Sequence, residues 1–150
     1  MFEYSFIAQD PGTHFWHAHS STQRADGIFG AIVIRDSNDI NAKKYDFDLP
    51  EHVIVVNDWI HIPINSKYMS FLHSYGDEAI SGVLINGKGV DSQYEGSLLG
   101  RETPRSQFKV SFGYRYRFRM INAGVQYCPL HVSIDNHNLT LIATDGVFLI

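Results

Sequence analysis

Along the first eight residues Phe2, Tyr4, Phe6 and Ala8 alternate with Glu3, Ser5 and Ile7. A period of two predicts a half-buried strand, because successive side chains leave a strand on opposite faces. "QDPG" (9–12) is turn chemistry. "THFWHAH" (13–19) reads as the next strand, followed by the polar loop "SSTQRADG" (20–27). "IFGAIVIR" (28–35) and "HVIVVNDWI" (52–60) are nearly continuous β-branched runs, the pattern of buried strands. In "NSKYMSFLHSY" (65–75), Tyr68, Phe71, Leu72 and Tyr75 fall at helical spacing, which predicts a short helix capped by Asn65 or Ser66. "GVLINGKG" (82–89) is a strand closed by an Asn-Gly turn. From 108 to 120 the even positions are apolar or aromatic, while Lys109, Arg115, Arg117 and Arg119 are odd. That predicts a long strand with one apolar face, bent at Gly113. "LHVSI" (130–134) and "LTLIATD" (139–145) flank "DNHN" as a hairpin.

The elements sum to an all-β chain with one helix, and short strands of this kind build sandwiches. Residues 36–50, "DSNDINAKKYDFDLP", are polar, charged and closed by a proline, and read as a linker. The expected division is 1–45 and 46–150. Because the chain opens inside a strand pattern and stops at "GVFLI", it reads as an excerpt of a longer protein. Hydrophobic content of 44% with 13% aromatics places it among globular chains. A formal charge of −4 argues against a nucleic-acid surface, so the Arg115/Arg117/Arg119 stripe reads as a solvated strand face. Cys128 is the single cysteine, which excludes an internal disulfide, a Cys₂His₂ zinc site and a CxxC redox site. The N-terminus has no signal-peptide pattern, and no apolar run reaches the roughly 20 residues of a membrane span.

The chemistry concentrates in "HFWHAH" (14–19). In an extended chain His17 and His19 share one face, roughly 6.5 Å apart at the backbone, and His14 lies on the other. Two imidazoles so placed suit one metal or two neighbouring metals, and the spacing alone leaves zinc, copper, iron and nickel open. His14 reads as a packed histidine. His52, His61, His73, His131 and His137 have no ligand partner at useful spacing and read as structural or exposed.

"DPGTHFWHAHSSTQRADGIFGAIVIR" (10–35) resembles the second copper-ligand segment of multicopper oxidases of the laccase type. The match continues in "DLPEHVIVVNDW", "LINGKG", "GYRYRFRMINAG" and "CPLHVSIDNHNLTLIATDG", and resembles most the laccases of arthropods and related animals. The resemblance implies cupredoxin-like Greek-key β-sandwiches, one incomplete and one nearly complete. It implies that His17 and His19 each bind one copper of the type 3 pair in a trinuclear cluster. Gln23 and Asp26 would support that strand by hydrogen bonds, and Asp145 matches an acidic position near which phenolic substrates lie. The implied reaction is single-electron oxidation of phenolic or catecholic reductants, coupled to reduction of dioxygen to water.

Only one of the family's four histidine segments is present. Cys128, in "YCPLH", has no adjacent histidine and does not match the type 1 thiolate. The chain alone is therefore expected to be inactive. The resemblance also implies an extracellular protein, for which Asn138-Leu139-Thr140 is a glycosylation sequon. Two other readings stay open at this stage: a truncated non-catalytic isoform or gene remnant, and a ferroxidase of the same family.

Overall fold

The computed structural model describes residues 1–73, 80–125 and 129–149, and of Phe71 the backbone only. Tyr75 and Cys128 lie outside the described residues. Three small sheets carry the architecture. Strand β1 (Gly12–His17) pairs antiparallel with β2 (Phe29–Ile34), in a register that sets Thr13 against Val33 and Trp16 against Gly30. Strand β3 (Val53–Trp59) is the centre of a second sheet, antiparallel to β4 (Gly82–Ile85) and parallel to β5 (Arg119–Asn122). A last hairpin joins β6 (Ala143–Thr144) to β7 (Val147–Phe148). The helices are α1 (Ile64–Leu72) and α2 (Leu98–Glu102).

Several expectations hold at the level of local chemistry. The Asn-Gly turn forms as a two-residue hairpin, with Asn86 and Gly87 both at positive φ, as type I′ geometry demands. Its asparagine also takes over where the strand ladder ends. Asn86 Oδ1 accepts the Val55 N–H at 2.7 Å, and Nδ2 donates to the Val53 carbonyl at 2.9 Å. Helix α1 is present, but neither Asn65 nor Ser66 caps it. The Ile64 N–H instead donates to Asp26 Oδ1 at 2.8 Å, a carboxylate delivered by the loop after β1. Pro63 stands before this N–H, leaving the first turn dependent on a distant acceptor.

Three strand expectations are corrected. Residues 1–9 form no strand, and Phe2, Tyr4, Phe6 and Ile7 are exposed. Alternation marks a surface fit for a sheet, but a strand exists only when a neighbour satisfies its N–H and C=O groups, and no described strand pairs there. The long strand over 108–120 shrinks to β5, with a turn at Gly113 (φ 88°) and Phe112 fully exposed. Around 130–145 the turn survives as an Ile134–His137 bridge with Asn136 at φ 59°, while the flanking runs make no ladder with each other and Ala143–Thr144 pairs with β7 instead.

Apolar burial is slight and polar burial is unusual. Among the described residues Ile54, Ile121 and Ala123 are the buried hydrophobics, whereas Arg117 and Arg119 are 8% and 3% exposed. The stripe is therefore not a solvated face. Segment 36–50 lies along it and supplies a carboxylate to each guanidinium. Asp39 meets Arg117 at 2.6 Å, Asp46 meets Arg115 at 2.9 Å, and Asp48 takes Arg119 on both oxygens at 2.8 and 2.6 Å. Only Arg115 keeps its side chain mostly in solvent. A buried arginine is tolerable when its donors are met in this bidentate way. Backbone bonds from Phe47 to the 115–117 strip complete the contact, so the expected linker is tied to the stripe at Asp39, Asp46, Phe47 and Asp48. Asn41 extends the same seam, donating from Nδ2 to the Ile142 and Leu149 carbonyls.

Candidate metal centre

The pleat of β1 sorts its side chains as the sequence requires. Phe15 and His17 fall on one face, and their rings stack 4.6 Å apart at an interplanar angle of 14°. His19 lies two residues beyond His17, past the end of β1, yet its ring centroid is 4.5 Å from that of His17. Rings that close lean toward each other, since the backbone repeat alone sets alternate residues roughly 6.5 Å apart. The ladder is carried past the strand end by the Ala18 N–H, which donates to the Ile28 carbonyl at 3.0 Å and keeps the His17–His19 backbone extended.

His14 points the other way. Its Nε2 lies 3.1 Å from the Asp10 carbonyl, and its ring packs beside Gly146 in the β6–β7 turn. Asp145 occupies that turn at φ 48°, with its carbonyl accepting the Thr13 N–H at 3.2 Å. It thus lies beside the start of β1, away from the His17 end. A cleft of about 390 Å³ opens there, lined by Thr13, His14, Phe15, Met120 and Asp145 among others.

The loop after β1 folds back through tight bonds. Gly27 donates to Arg24, Asp26 to Thr22, and Ile28 to the Gln23 carbonyl. Gln23 supports β1 through this backbone bond, which sets the return into β2. Asp26 ties the loop to α1 and accepts from Thr22 Oγ1 at 3.3 Å. Sequence reasoning passed over Arg24, which lies between them. Its guanidinium sits over the Phe15 ring at 5.7 Å and donates from Nη2 to the Gly124 carbonyl at 2.7 Å. The neighbourhood holds the His17 imidazole below its ordinary proton affinity. Partial loss of hydration contributes most, followed by the nearby His19 and Arg24. A neutral imidazole is the form that ligates a metal.

The other histidines are accounted for singly. His52 is fully buried, with Nε2 donating to the Lys109 carbonyl at 2.9 Å and its ring edge-on to Tyr116. His61 pairs with the Asp91 carboxylate and accepts from Trp59 Nε1. His137 bonds the Asp135 carbonyl through Nδ1, and His73 and His131 are exposed. Among the described residues no three His, Cys, Asp or Glu side chains converge on one point. His17 and His19 fit a metal as two nitrogen donors, and a closed site needs further ligands.

Comparison with known proteins decides the family. Residues 50–150 match the model for multicopper oxidases, and residues 1–39 match a second multicopper oxidase model. The chain belongs to the multicopper oxidase family. It is 38% identical over 140 residues to laccase-4 of Thanatephorus cucumeris, covering 91% of this chain and 25% of that one. With laccase-2 of Agaricus bisporus it shares 38% identity over 148 residues, covering 97% of this chain and 27% of the relative. The crystal structure of the laccase from Botrytis aclada superposes with a TM-score of 0.58 at 27% identity, over 77% of this chain and 21% of that one. The fold is accordingly all-β and cupredoxin-like. The chain spans about a quarter of the length of the curated relatives it matches.

Proposed function

We propose that His17 and His19 are copper ligands, and that the chain is a fragment of a laccase-like multicopper oxidase. The observation that carries this reading is the imidazole pair, 4.5 Å between ring centroids, on one face of an extended segment within a multicopper oxidase chain. In the whole enzyme the pair would hold the type 3 coppers. Copper, when bound, supplies one-electron redox chemistry. Four phenolic or catecholic reductants each give one electron and one proton, and one dioxygen becomes two waters.

The chain's own residues bind and orient. Phe15 stacks on His17, His17 and His19 present two imidazole nitrogen donors, and the loop of Gln23 and Asp26 fixes the segment that carries them. Asp145 is the proposed contact for a phenolic hydroxyl, supported by its place on the cleft beside β1. The proposed domain boundary falls within 36–50, between the β1–β2 pair and the β4–β3–β5 sheet, which share no ladder. An extracellular setting goes with this reading, supported by the exposed Asn138 sequon.

Two imidazoles do not complete a cluster, so the 150-residue chain should bind copper(II) without oxidising phenols. The test is to load the purified chain with copper(II) and follow binding, visible absorption and catechol oxidation. The expected result is copper uptake without the intense blue of a copper–thiolate site, lost in His17→Ala, and no turnover. Copper uptake unchanged in both His17→Ala and His19→Ala would end the ligand assignment. Sustained catechol oxidation would end the fragment reading.

A further inference from the structure

The imidazole pair sits at one end of a series of contacts. From the Gly124 carbonyl the series runs to the Arg24 guanidinium at 2.7 Å, to the Phe15 ring at 5.7 Å, to the His17 ring at 4.6 Å and to the His19 ring at 4.5 Å. The members come from three parts of the chain. Phe15 and His17 come from β1, Arg24 from the loop, and Gly124 from the segment after β5. That last segment is itself anchored, since the Val125 N–H donates to the Asp58 carboxylate at 3.1 Å. We infer that Arg24 is a positioning residue for the metal-binding pair: pinned to Gly124, it clamps the face of Phe15, and Phe15 fixes the plane of His17.

Three features of Arg24 separate this role from that of an ordinary surface cation. Among the described residues it has no carboxylate partner, although every arginine of the 115/117/119 stripe has one. Its Nε is buried without a hydrogen-bond partner among the described residues, while its Cζ sits over the Phe15 ring. A cation over an aromatic ring within about 6 Å is attracted by the ring quadrupole, and only a planar guanidinium can lie flat while donating in its own plane. The charge itself repels a bound metal cation, so charge is not what this placement supplies to a ligand pair. Orientation is.

The inference rests on His17 and His19 being ligands, but its test has a readout that does not. In the full 150-residue chain, Arg24→Lys keeps the charge and loses the flat face, and Phe15→Leu removes the platform. Both are compared with Arg101→Lys in α2, a change remote from the stack. Ring–ring NOEs between residue 15 and His17, and between His17 and His19, report the stack directly. Copper(II) alone, titrated against the His17 and His19 ring protons, reports affinity. The His52 and His61 signals report the fold.

Arg24→Lys should weaken the Phe15–His17 and His17–His19 NOEs and lower copper(II) affinity about tenfold, in the range seen when outer partners of metal ligands are lost. Phe15→Leu should weaken the His17–His19 NOE and lower affinity similarly. His52 and His61 should not move in either variant, and Arg101→Lys should change nothing. Unaltered NOEs in Arg24→Lys would overturn the positioning role. Shifts of His52 and His61 to the same extent would overturn it too, by showing a general structural loss. If the parent chain binds no copper(II) at the pair, the ligand reading fails, and the NOEs still decide whether Arg24 orders the rings.

Discussion

Replacing Asp48 by Asn should be among the most damaging single changes in this chain, although Asp48 lies in a segment with the composition of a linker. Its carboxylate takes Arg119 Nε at 2.8 Å and Nη2 at 2.6 Å, while Arg119 Nη1 donates to Thr13 Oγ1 at 2.7 Å. The Arg119 side chain is 2% exposed and that of Asp48 12%. Removing one partner of a buried pair leaves the other charge unmet, which costs on the order of 3–5 kcal/mol. Asparagine keeps one accepting oxygen, but its amide turns a donor toward the guanidinium, so the lower end, about 3 kcal/mol, is expected. With a urea slope of about 2 kcal/mol/M, the midpoint should fall by about 1.5 M. Arg119→Met should cost less, because Asp48 retains Arg35 at 3.2 Å. The assay is equilibrium urea unfolding followed by tryptophan fluorescence and circular dichroism. A loss below about 1 kcal/mol for Asp48→Asn, the size of an exposed pair, would refute the claim that this ion pair is a buried joint.

Acid should release the same seam. Arg115's hydrogen bonds hold Asp46 at about 2, while burial raises Asp39 and Asp48 but is outweighed by their hydrogen bonds to Tyr45 and Arg119 and by the arginine charges. Carboxylates depressed on folding contribute fully above their unfolded value near 4 and lose that contribution as pH falls through the folded one. Stability from these three groups should thus be flat above about pH 5 and decline from about pH 4 toward 2, and a decline already at pH 6 in a urea series would contradict this origin. Asp26→Ala removes the acceptor for the Ile64 N–H and should cost about 1 kcal/mol, read as faster amide exchange over 64–72; unchanged exchange would show that the cap contributes nothing. Gly12→Ala places a Cβ 2.5 Å from the Asp145 carbonyl oxygen and 2.7 Å from Gly146 Cα, at a φ of 150°. Because both of these atoms are backbone, it should lower the melting temperature and cost about 2 kcal/mol, and an unchanged melting curve would show that the β6–β7 turn yields freely.

Whatever depends on a residue and its near neighbours is legible in the chain before it folds. The period-two pleat decides that His17 shares a face with Phe15 and that His14 does not. Asn86-Gly87 forms a type I′ turn because few other residue pairs tolerate two positive φ values. The apolar runs at 28–35 and 52–60 carry β2 and β3. Tertiary structure alone decided which partners are used. The alternation at 1–9 was legible, but its conversion to a strand needs a neighbour supplying backbone groups, and spacing carries no such information. Alternating arginines look the same whether water or carboxylates face them. Asp39, Asp46 and Asp48 reach the stripe from about 70 residues away in sequence, and at Arg117 and Arg119 this turns a supposed surface into a polar interior. Arg24 belongs to the same class, because its role depends on a carbonyl 100 positions downstream. Long-range hydrogen bonds have no local periodicity, so only the folded chain displays them.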